Sequence, residues 1–218
     1  MGVAAHWAFL DKKIYCQLNN LTLATANGTT QIDHVIVSRH GIFVIEAKNI
    51  DGWIFGDVHS PQWSIIKPGR KFLIQNPLHQ NHRHVRAIVE GFGIEETKVH
   101  SLVMFWGDCE FKTPMPANVM SAGYATYIKS FTARLFEDQQ VSDMVASLES
   151  GALPKTWETR QTHLASLQAR HASTSVCAKC GSALVVRTAR NGANVGAKFF
   201  GCSAYPKCRY TVPWKRDA

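Results

Sequence analysis

The sequence predicts a three-layer α/β domain followed by a small cysteine-bearing segment. Residues 35–37 and 42–45 are β-branched and aromatic runs, too short for helices, and a glycine lies between them. Pro77 opens an amphipathic pattern that predicts a helix of about four turns. Residues 99–106 are predominantly apolar and predict another buried strand.

The two apolar runs and the glycine between them predict a β-hairpin. Two carboxylates and a lysine lie near its ends. An even-numbered loop centred on residues 39–40 places Asp33 directly opposite Glu46, with Cβ atoms about 4.5–5.5 Å apart. Lys48 then projects from the same face as Glu46. A loop of odd length shifts this register, and the sequence leaves both lengths open.

Such a trio suits metal-assisted hydrolysis. Two neighbouring carboxylates repel each other unless a hard cation lies between them, and Mg²⁺ accepts one or two carboxylates together with waters and phosphate oxygens. A nearby ammonium group can orient the attacking water and offset charge on a phosphoryl group. The alternative is a surface carboxylate pair with a solvated lysine. It fits poorly, because the intervening residues are apolar on both faces, as in a central strand.

The predicted helix brings further polar groups to the sheet. Its apolar positions recur at helical spacing: Val85, Ile88, Val89 and Phe92. Gln80 and His84 are four residues apart and share a face, so a helix packed on the sheet can direct both toward the metal site. His79, His82 and His84 lie on different helix faces, which favours solvated or phosphate-contacting histidines over a transition-metal site.

Four blocks of this region together resemble the nuclease-related domain, NERD, a branch of the PD-(D/E)xK nucleases, over roughly residues 10–125. The blocks are residues 31–34, 41–49, 52–56 and 76–81. The resemblance implies a PD-(D/E)xK restriction-endonuclease-like α/β core, with a central mixed sheet flanked by helices. It also implies that Asp33 and Glu46 hold Mg²⁺ or Mn²⁺ and that Lys48 serves the attacking water.

Two further features bear on catalysis. Gln80 resembles the glutamine of the RecB-like nuclease motif, which implies that it positions phosphate or water; His84 replaces the tyrosine of that motif. NERD proteins commonly open with a helix that bears a Gly-Glu pair, whereas residues 1–10 contain no acid. This departure keeps open the alternative of a non-catalytic DNA-binding scaffold with a degenerate nuclease fold.

Four cysteines near the C-terminal end have the spacing of a structural zinc site. They form two pairs, separated by a stretch long enough for a β-hairpin: Cys177 and Cys180, then Cys202 and Cys208. The segment is too short for an ordinary core, so one Zn²⁺ would provide much of its folding energy. Disulfides are the alternative. The chain shows no secretory signal, and Cys16 and Cys109 have the apolar contexts of buried thiols.

The sequence around these cysteines resembles the C4 zinc ribbon found at the C-terminus of bacterial type IA topoisomerases, which binds single-stranded DNA. Residues 151–218 contain 11 Lys or Arg and two acids, net +9, whereas residues 1–150 contain 13 and 14, net −1. Cations follow phosphates and aromatic faces stack on bases. We therefore expect single-stranded or distorted DNA as the partner; RNA remains an open alternative because stacking tolerates either sugar.

The nucleic-acid contacts are expected from basic and aromatic residues of the ribbon. They are Lys198, Tyr205, Lys207, Arg209, Tyr210 and Trp214. We expect Phe199 or Phe200 in the small core of the ribbon, and the three other aromatic side chains to be more exposed.

The sequence divides into a NERD nuclease-like domain at 1–130, a helical linker at 131–174 and the ribbon at 175–218. Helices are predicted at 139–148 and 157–171. Residues 1–10 are too few to span a bilayer and do not form a signal peptide, so we expect a cytoplasmic protein without a membrane segment. Relatives with this ribbon often carry a membrane helix ahead of the domain.

Overall fold

The computed structural model describes residues 9–26, 28–172, 175, 177–179, 182–191, 194–206 and 208–214. The strands are Tyr15–Thr25 (β1), Gly28–Ser38 (β2), Gly41–Lys48 (β3), Gly52–Phe55 (β4), Gln62–Lys67 (β5), Arg70–Gln75 (β6), Val99–Phe105 (β7), Cys109–Phe111 (β8), Val119–Met120 (β9), Leu184–Thr188 (β10), Lys198–Cys202 (β11) and Thr211–Pro213 (β12). The α-helices are Pro77–Phe92 (α1), Tyr124–Lys129 (α2), Asp138–Gly151 (α3) and Trp157–Ala172 (α4).

A five-stranded mixed sheet forms the centre of the larger domain, with strand order β1-β2-β3-β7-β9. β1, β2 and β3 are antiparallel, whereas β7 pairs with both β3 and β9 in parallel. Side chains of α1 and α3 lie in the core on one face, and side chains of α2 lie in the core on the other. This arrangement confirms the predicted mixed sheet flanked by helices.

The β2–β3 hairpin is buried on both faces, as its apolar runs predict. Alternating side chains enter the α1 and α3 core or the α2 core. The first group contains Val35, Val37, Ile42 and Val44. The second group contains Ile36, Phe43 and Ile45. Asp33, Glu46 and Lys48 therefore lie on strands that form the middle of the domain.

A second sheet, which local patterns in the sequence do not predict, packs against β7. Its strand order is β6-β5-β4-β8. Ile54, Trp63 and Ile65 form a core with Val103 and Phe105 of β7, and the Trp63 and Phe105 rings stack with centroids 6.1 Å apart. This sheet also supplies the loop that holds the start of α1.

The segment expected to be a helical linker packs on the central sheet. α3 contributes Val141 and Leu148 to the core. Ser166 and His163 of α4 contact the Thr29 hydroxyl of β2, at 3.3 and 3.0 Å. Both helices agree with their predicted ranges within three residues. No helix in the described part of the chain is long and apolar enough to cross a membrane.

The C-terminal segment forms a third sheet, with antiparallel order β10-β11-β12. Its small core gathers around three buried cysteines, with Phe200, Tyr210 and Val212 packed against them. This sheet is the hairpin expected between the two cysteine pairs, extended by a third strand.

Candidate functional site

The β2–β3 loop decides whether the two carboxylates face each other. Ser38 pairs with Gly41 and His34 pairs with Ile45, so the loop contains two residues. Gly41 has a φ of 131°, a region that glycine adopts readily. The even-numbered loop is therefore confirmed, and Asp33 and Glu46 each lie one residue beyond the last pair of this register.

Asp33 lies at an irregularity of the β1–β2 ladder. Ile32 packs in the same core as Val35 and Val37, although strict alternation would place it on the opposite face. The register places Asn20 opposite Asp33, and Asn20 has a φ of 53°. Such local breaks in a ladder redirect individual side chains. The position of Asp33 therefore depends on a backbone feature that the hydrophobic pattern does not reveal.

The Asp33 carboxylate accepts a hydrogen bond from the backbone N–H of Ala47 at 2.9 Å. Burial raises the pKa of Asp33, and the negative charge of Glu46 raises it further. The Ala47 hydrogen bond and the charge of Lys48 oppose these effects but do not cancel them. The two carboxylates thus repel each other, and a cation placed between them would relieve the repulsion.

Glu46, Lys48 and Gln80 form a connected polar group on the α1 side of the sheet. Glu46 is 2% exposed. The Lys48 ammonium donates to Oε1 of Glu46 at 2.5 Å and to Oε1 of Gln80 at 3.0 Å. Burial alone would raise the pKa of Glu46, but the His84 hydrogen bond and the Lys48 charge outweigh it and lower that pKa. The Glu46 carboxylate is therefore ionised at neutral pH.

His84 and Thr30 extend this group. His84 Nε2 lies 3.0 Å from Oε2 of Glu46, and its Nδ1 lies 2.8 Å from the hydroxyl of Thr30. The sequence places His84 on the helix face toward the site but predicts no contact for it. The four-residue spacing between Gln80 and His84 was the sequence feature that could have predicted this contact. Thr30 gave no signal, because its direction follows from the irregularity at Asp33.

Polar side chains fix α1 above the sheet. The side chain of Asn76 accepts from the Leu78 amide at 2.9 Å as the helix N-cap, and its own amide donates to two carbonyls of the loop after β4. Asn81 donates to the backbone carbonyls of Val44 and Leu102 at 2.8 and 3.0 Å. These contacts hold Gln80 within reach of Lys48.

Two histidines of α1 differ from expectation. His79 and His84 are 5% and 3% exposed. Of the two expected roles, solvated or phosphate-contacting, the first is therefore wrong for both. His79 Nε2 contacts the carbonyl of Val58 at 2.9 Å, and burial lowers the pKa of His79 to about 4. Both rings serve internal hydrogen bonds, because the second sheet and β2 cover this part of the helix.

The composition of the site fits a hard divalent cation. Asp33, Glu46 and Gln80 offer oxygen atoms only, and Mg²⁺ typically takes one or two carboxylates. We compared the distances between the ligand atoms of His, Cys, Asp and Glu in the described residues. Three such atoms lie within 4.8 Å of one another at the three C-terminal cysteines, and at no other described group. Asp33, Glu46 and His84 therefore do not form a compact three-ligand transition-metal site.

The ribbon cysteines form that compact group. Cys177, Cys202 and Cys208 are buried, and their sulfur atoms lie within 4.8 Å of one another. The sulfurs of Cys177 and Cys208 are 3.7 Å apart. A tetrahedral zinc with bonds of about 2.3 Å holds its sulfurs about 3.8 Å apart. This geometry supports a structural zinc. The predicted fourth ligand, Cys180, lies outside the described residues.

Part of the predicted nucleic-acid surface lines one cavity of the ribbon, with a volume of about 710 Å³. Tyr205, Arg209 and Tyr210 line it together with Arg187 and Arg190, which were not among the predicted contacts. The Arg187 guanidinium lies 5.4 Å from the Tyr205 ring centroid. Phe199 lines the cavity as well, so three cations are combined with three aromatic residues.

The remaining predicted contacts lie elsewhere or outside the described residues. The Lys198 ammonium lies 5.8 Å from the centroid of the Trp214 ring, which stacks on Phe200 at 4.8 Å. Neither Lys198 nor Trp214 lines the cavity. Lys207 lies outside the described residues.

Exposure of the ribbon aromatics agrees in part with prediction. Tyr205 and Trp214 are 57% and 38% exposed. Phe200 packs against the cysteine core, as expected for one of the two phenylalanines. Tyr210 is half-buried against the same core, so its expected exposure is wrong. The ribbon is small, so aromatic side chains that could lie at its surface pack against its core instead.

Two family models match separate parts of the chain. Residues 3–106 match the model of the nuclease-related domain, and residues 174–217 match the topoisomerase DNA binding C4 zinc finger. An uncharacterized protein of Bacillus anthracis is 39% identical over 104 residues, which cover 47% of this chain and 49% of that protein. The uncharacterized protein YrdD of Escherichia coli (strain K12) is 45% identical over 42 residues, 19% of this chain and 21% of that protein.

The matched regions therefore cover about half of the first relative and about a fifth of the second. No solved structure matches this chain. Both domains suggest DNA binding, and the first belongs to a nuclease-related type. The chain thus carries a nuclease-related domain joined to a C-terminal C4 zinc ribbon of the topoisomerase type.

Proposed function

We propose that this protein is a Mg²⁺-dependent nuclease that hydrolyses phosphodiester bonds of DNA captured by its zinc ribbon. One observation carries the proposal: the fold brings Asp33, Glu46, Lys48 and Gln80 together on one side of the central sheet. Lys48 contacts both Glu46 and Gln80, and Asp33 accepts a hydrogen bond from the amide of Ala47, the residue after Glu46. The resemblance to PD-(D/E)xK nucleases gives these residues their roles.

Asp33 and Glu46 would hold the divalent cation, because their oxygens and mutual repulsion suit it. When bound, the metal supplies Lewis acidity and lowers the pKa of water. Lys48 orients the attacking water and offsets charge on the phosphoryl group. Gln80 fixes the Lys48 ammonium from the helix side and positions water or phosphate. Mn²⁺ has similar ligand preferences and should replace Mg²⁺.

The surface of the ribbon indicates which class of substrate the protein binds. Its cavity presents Arg187, Arg190 and Arg209 beside Tyr205 and Tyr210, a combination suited to backbone phosphates and stacked bases. Stacking on aromatic rings beside cations that follow the backbone favours single-stranded or distorted DNA without strong sequence preference. RNA is the competing substrate, because the same contacts tolerate a 2′-hydroxyl.

The test is cleavage of labelled single-stranded DNA, double-stranded DNA and RNA by the purified chain with Mg²⁺ or Mn²⁺. Glu46→Gln keeps the size of the side chain and removes its charge, so cleavage should fall by about 100-fold or more. Glu149→Gln makes the same chemical change at an exposed position of α3 and should leave cleavage unchanged.

Equal cleavage by the Glu46→Gln variant and the wild type would contradict the assigned site. Absence of metal-dependent cleavage on all three substrates would contradict the enzyme and leave the second candidate, a DNA-binding scaffold. One observation favours that candidate: both Glu46 oxygens already have partners within the protein.

A further inference from the structure

His84 is a buried side chain at the site to which the proposed reaction assigns no part. It lies on α1 one turn after Gln80, and it is 3% exposed. Both of its ring nitrogens are engaged: Nε2 with Oε2 of Glu46 at 3.0 Å, and Nδ1 with the Thr30 hydroxyl at 2.8 Å. Nε2 is thus placed to donate to a carboxylate, whose unprotonated oxygens only accept hydrogen bonds.

Thr30 completes the fixed geometry of the ring. It is 2% exposed, so its hydroxyl has the His84 ring as a neighbour rather than bulk water. With one nitrogen held by β2 and the other by β3, rotation of the ring costs two hydrogen bonds in a buried place. The side chain is therefore held in one orientation.

The Glu46 carboxylate lies between two side chains, each of which contacts a different carboxylate oxygen. Lys48 contacts Oε1 and His84 contacts Oε2. Without His84, the carboxylate is free to turn both oxygens toward the Lys48 ammonium, since charge-assisted hydrogen bonds are strong in a buried environment. The contact with His84 thus restricts the orientation of the Glu46 carboxylate.

His84 does not itself complete a ligand set with the two carboxylates. In the described part of the chain, the ligand atoms of Asp33, Glu46 and His84 are not gathered within 4.8 Å, unlike those of the ribbon cysteines. A histidine that donates to a ligating carboxylate acts by orienting it, and loss of such an outer partner commonly weakens metal binding by about 10–100-fold.

We propose that His84, held by Thr30, is a positioning residue that fixes the Glu46 carboxylate for divalent-cation binding. This inference rests on the proposed metal site of Asp33 and Glu46. It adds two residues to that site, and neither is taken from the resemblance to known nucleases, whose motif has a tyrosine at the position of His84.

The test measures Mn²⁺ affinity by isothermal titration calorimetry on the zinc-loaded full chain, without substrate. His84→Phe keeps a planar ring and removes both hydrogen bonds, so the Kd should rise by about 10–100-fold. His84→Gln keeps an amide donor toward Glu46 and should recover most of the affinity. Thr30→Val removes only the outer hydroxyl and should raise the Kd by about 3–10-fold.

His82→Phe is the matched control, because it makes the same change two residues earlier on the same helix. It should leave the Kd within about twofold of wild type. Circular dichroism and thermal melting establish that each variant folds. An unchanged Kd in folded His84→Phe overturns the inference. If that variant does not fold, an unchanged Kd in Thr30→Val overturns it instead. An equal loss in His82→Phe also overturns it.

Glu46→Gln separates this inference from the proposed function. If wild type binds Mn²⁺, Glu46→Gln does not, and His84→Phe binds as wild type does, the metal site stands and the inference fails. If wild type shows no Mn²⁺ binding that depends on Glu46, both fail.

Discussion

At the scale of single residues, Asn20 and Asp33 show how one backbone position shapes the site. Asn20 adopts a φ of 53° opposite Asp33, at the point where core-facing positions of β1 and β2 change parity. Asparagine enters the left-handed region more easily than most residues, and β-branched residues enter it with difficulty. We infer that this conformation helps to direct the Asp33 carboxylate toward Ala47 and Glu46.

Substitution of Asn20 should therefore affect stability according to backbone preference. Asn20→Val should lower the free energy of unfolding by about 1–2 kcal/mol, because valine strongly disfavours the left-handed region. Asn20→Gly should be neutral or slightly stabilising, since glycine adopts it freely. Urea unfolding of the two variants and wild type measures the difference. Equal stability of the valine and glycine variants would show that the backbone relaxes out of this conformation at little cost.

At the scale of elements, α1 connects the site to the rest of the domain. Its start is predicted from Pro77, and its apolar positions predict the face that contacts the sheet. Its anchors are tertiary: Asn76 and His79 bind carbonyls of the loop between β4 and β5, and Asn81 binds carbonyls of β3 and β7. The sequence block that resembles NERD is thus a set of anchors for this helix.

His79 makes this anchor sensitive to acid. Burial lowers its pKa to about 4 from an ordinary value of 6.5. The unfolded chain therefore binds a proton at His79 more readily than the folded chain does. The contribution of neutral His79 to the free energy of unfolding is complete above pH 6.5 and is lost as the pH falls toward 4. His34, whose pKa burial also lowers to about 4, acts in the same direction.

Replacing His79 should reduce the acid sensitivity of folding. His79→Gln keeps a donor for the Val58 carbonyl and cannot titrate, so its loss of stability between pH 7 and pH 5 should be smaller than that of wild type by about 1 kcal/mol. Urea unfolding at both pH values tests this. The exposed His59→Gln variant should behave as wild type. If His79→Gln loses as much stability as wild type, the acid response arises elsewhere.

At the scale of the whole molecule, the basic charge is concentrated in the C-terminal part of the chain. Residues 151–218 carry net +9, whereas residues 1–150 carry net −1. Arg83 on α1 donates to the carbonyl of Ala178 at 2.6 Å, which links the ribbon to the helix that bears Gln80. The basic ribbon therefore lies against the nuclease-related domain at the helix that contributes to the proposed site.

Loss of zinc should remove the salt-dependent part of DNA binding. Cys202→Ser removes a buried thiol of the ribbon core, so bound zinc should fall from about one per chain to nearly none. Unfolding of the ribbon should weaken DNA affinity, and the slope of log K against log salt should decrease by about one for each phosphate that the protein no longer neutralises. Metal analysis and DNA titrations at several salt concentrations measure both effects.

Cys16→Ser is the matched control for that experiment. Cys16 is a partly buried free thiol in the larger domain and is not among the clustered cysteines. The variant should keep its zinc and its salt slope. An unchanged salt slope in Cys202→Ser, after its zinc is lost, would place the main DNA surface outside the ribbon.

Local patterns in the chain are enough to predict the hairpin, the helix after Pro77, the cysteine pairs and the uneven charge. The patterns are β-branched runs, helical spacing, thiolate spacing and composition. The positions of Glu46, Lys48 and Gln80 could be predicted for the same reason, since a strand and a helix each place residues on a known face.

The contacts that cross between elements are set by tertiary packing instead. Packing selects the two-residue loop that brings Asp33 and Glu46 to the same end of the hairpin. It also adds the second sheet, whose loop contacts His79, and directs Thr30 and Glu46 to the two nitrogens of His84. Register, strand irregularity and burial depend on interactions among distant segments, and local periodicity does not encode them.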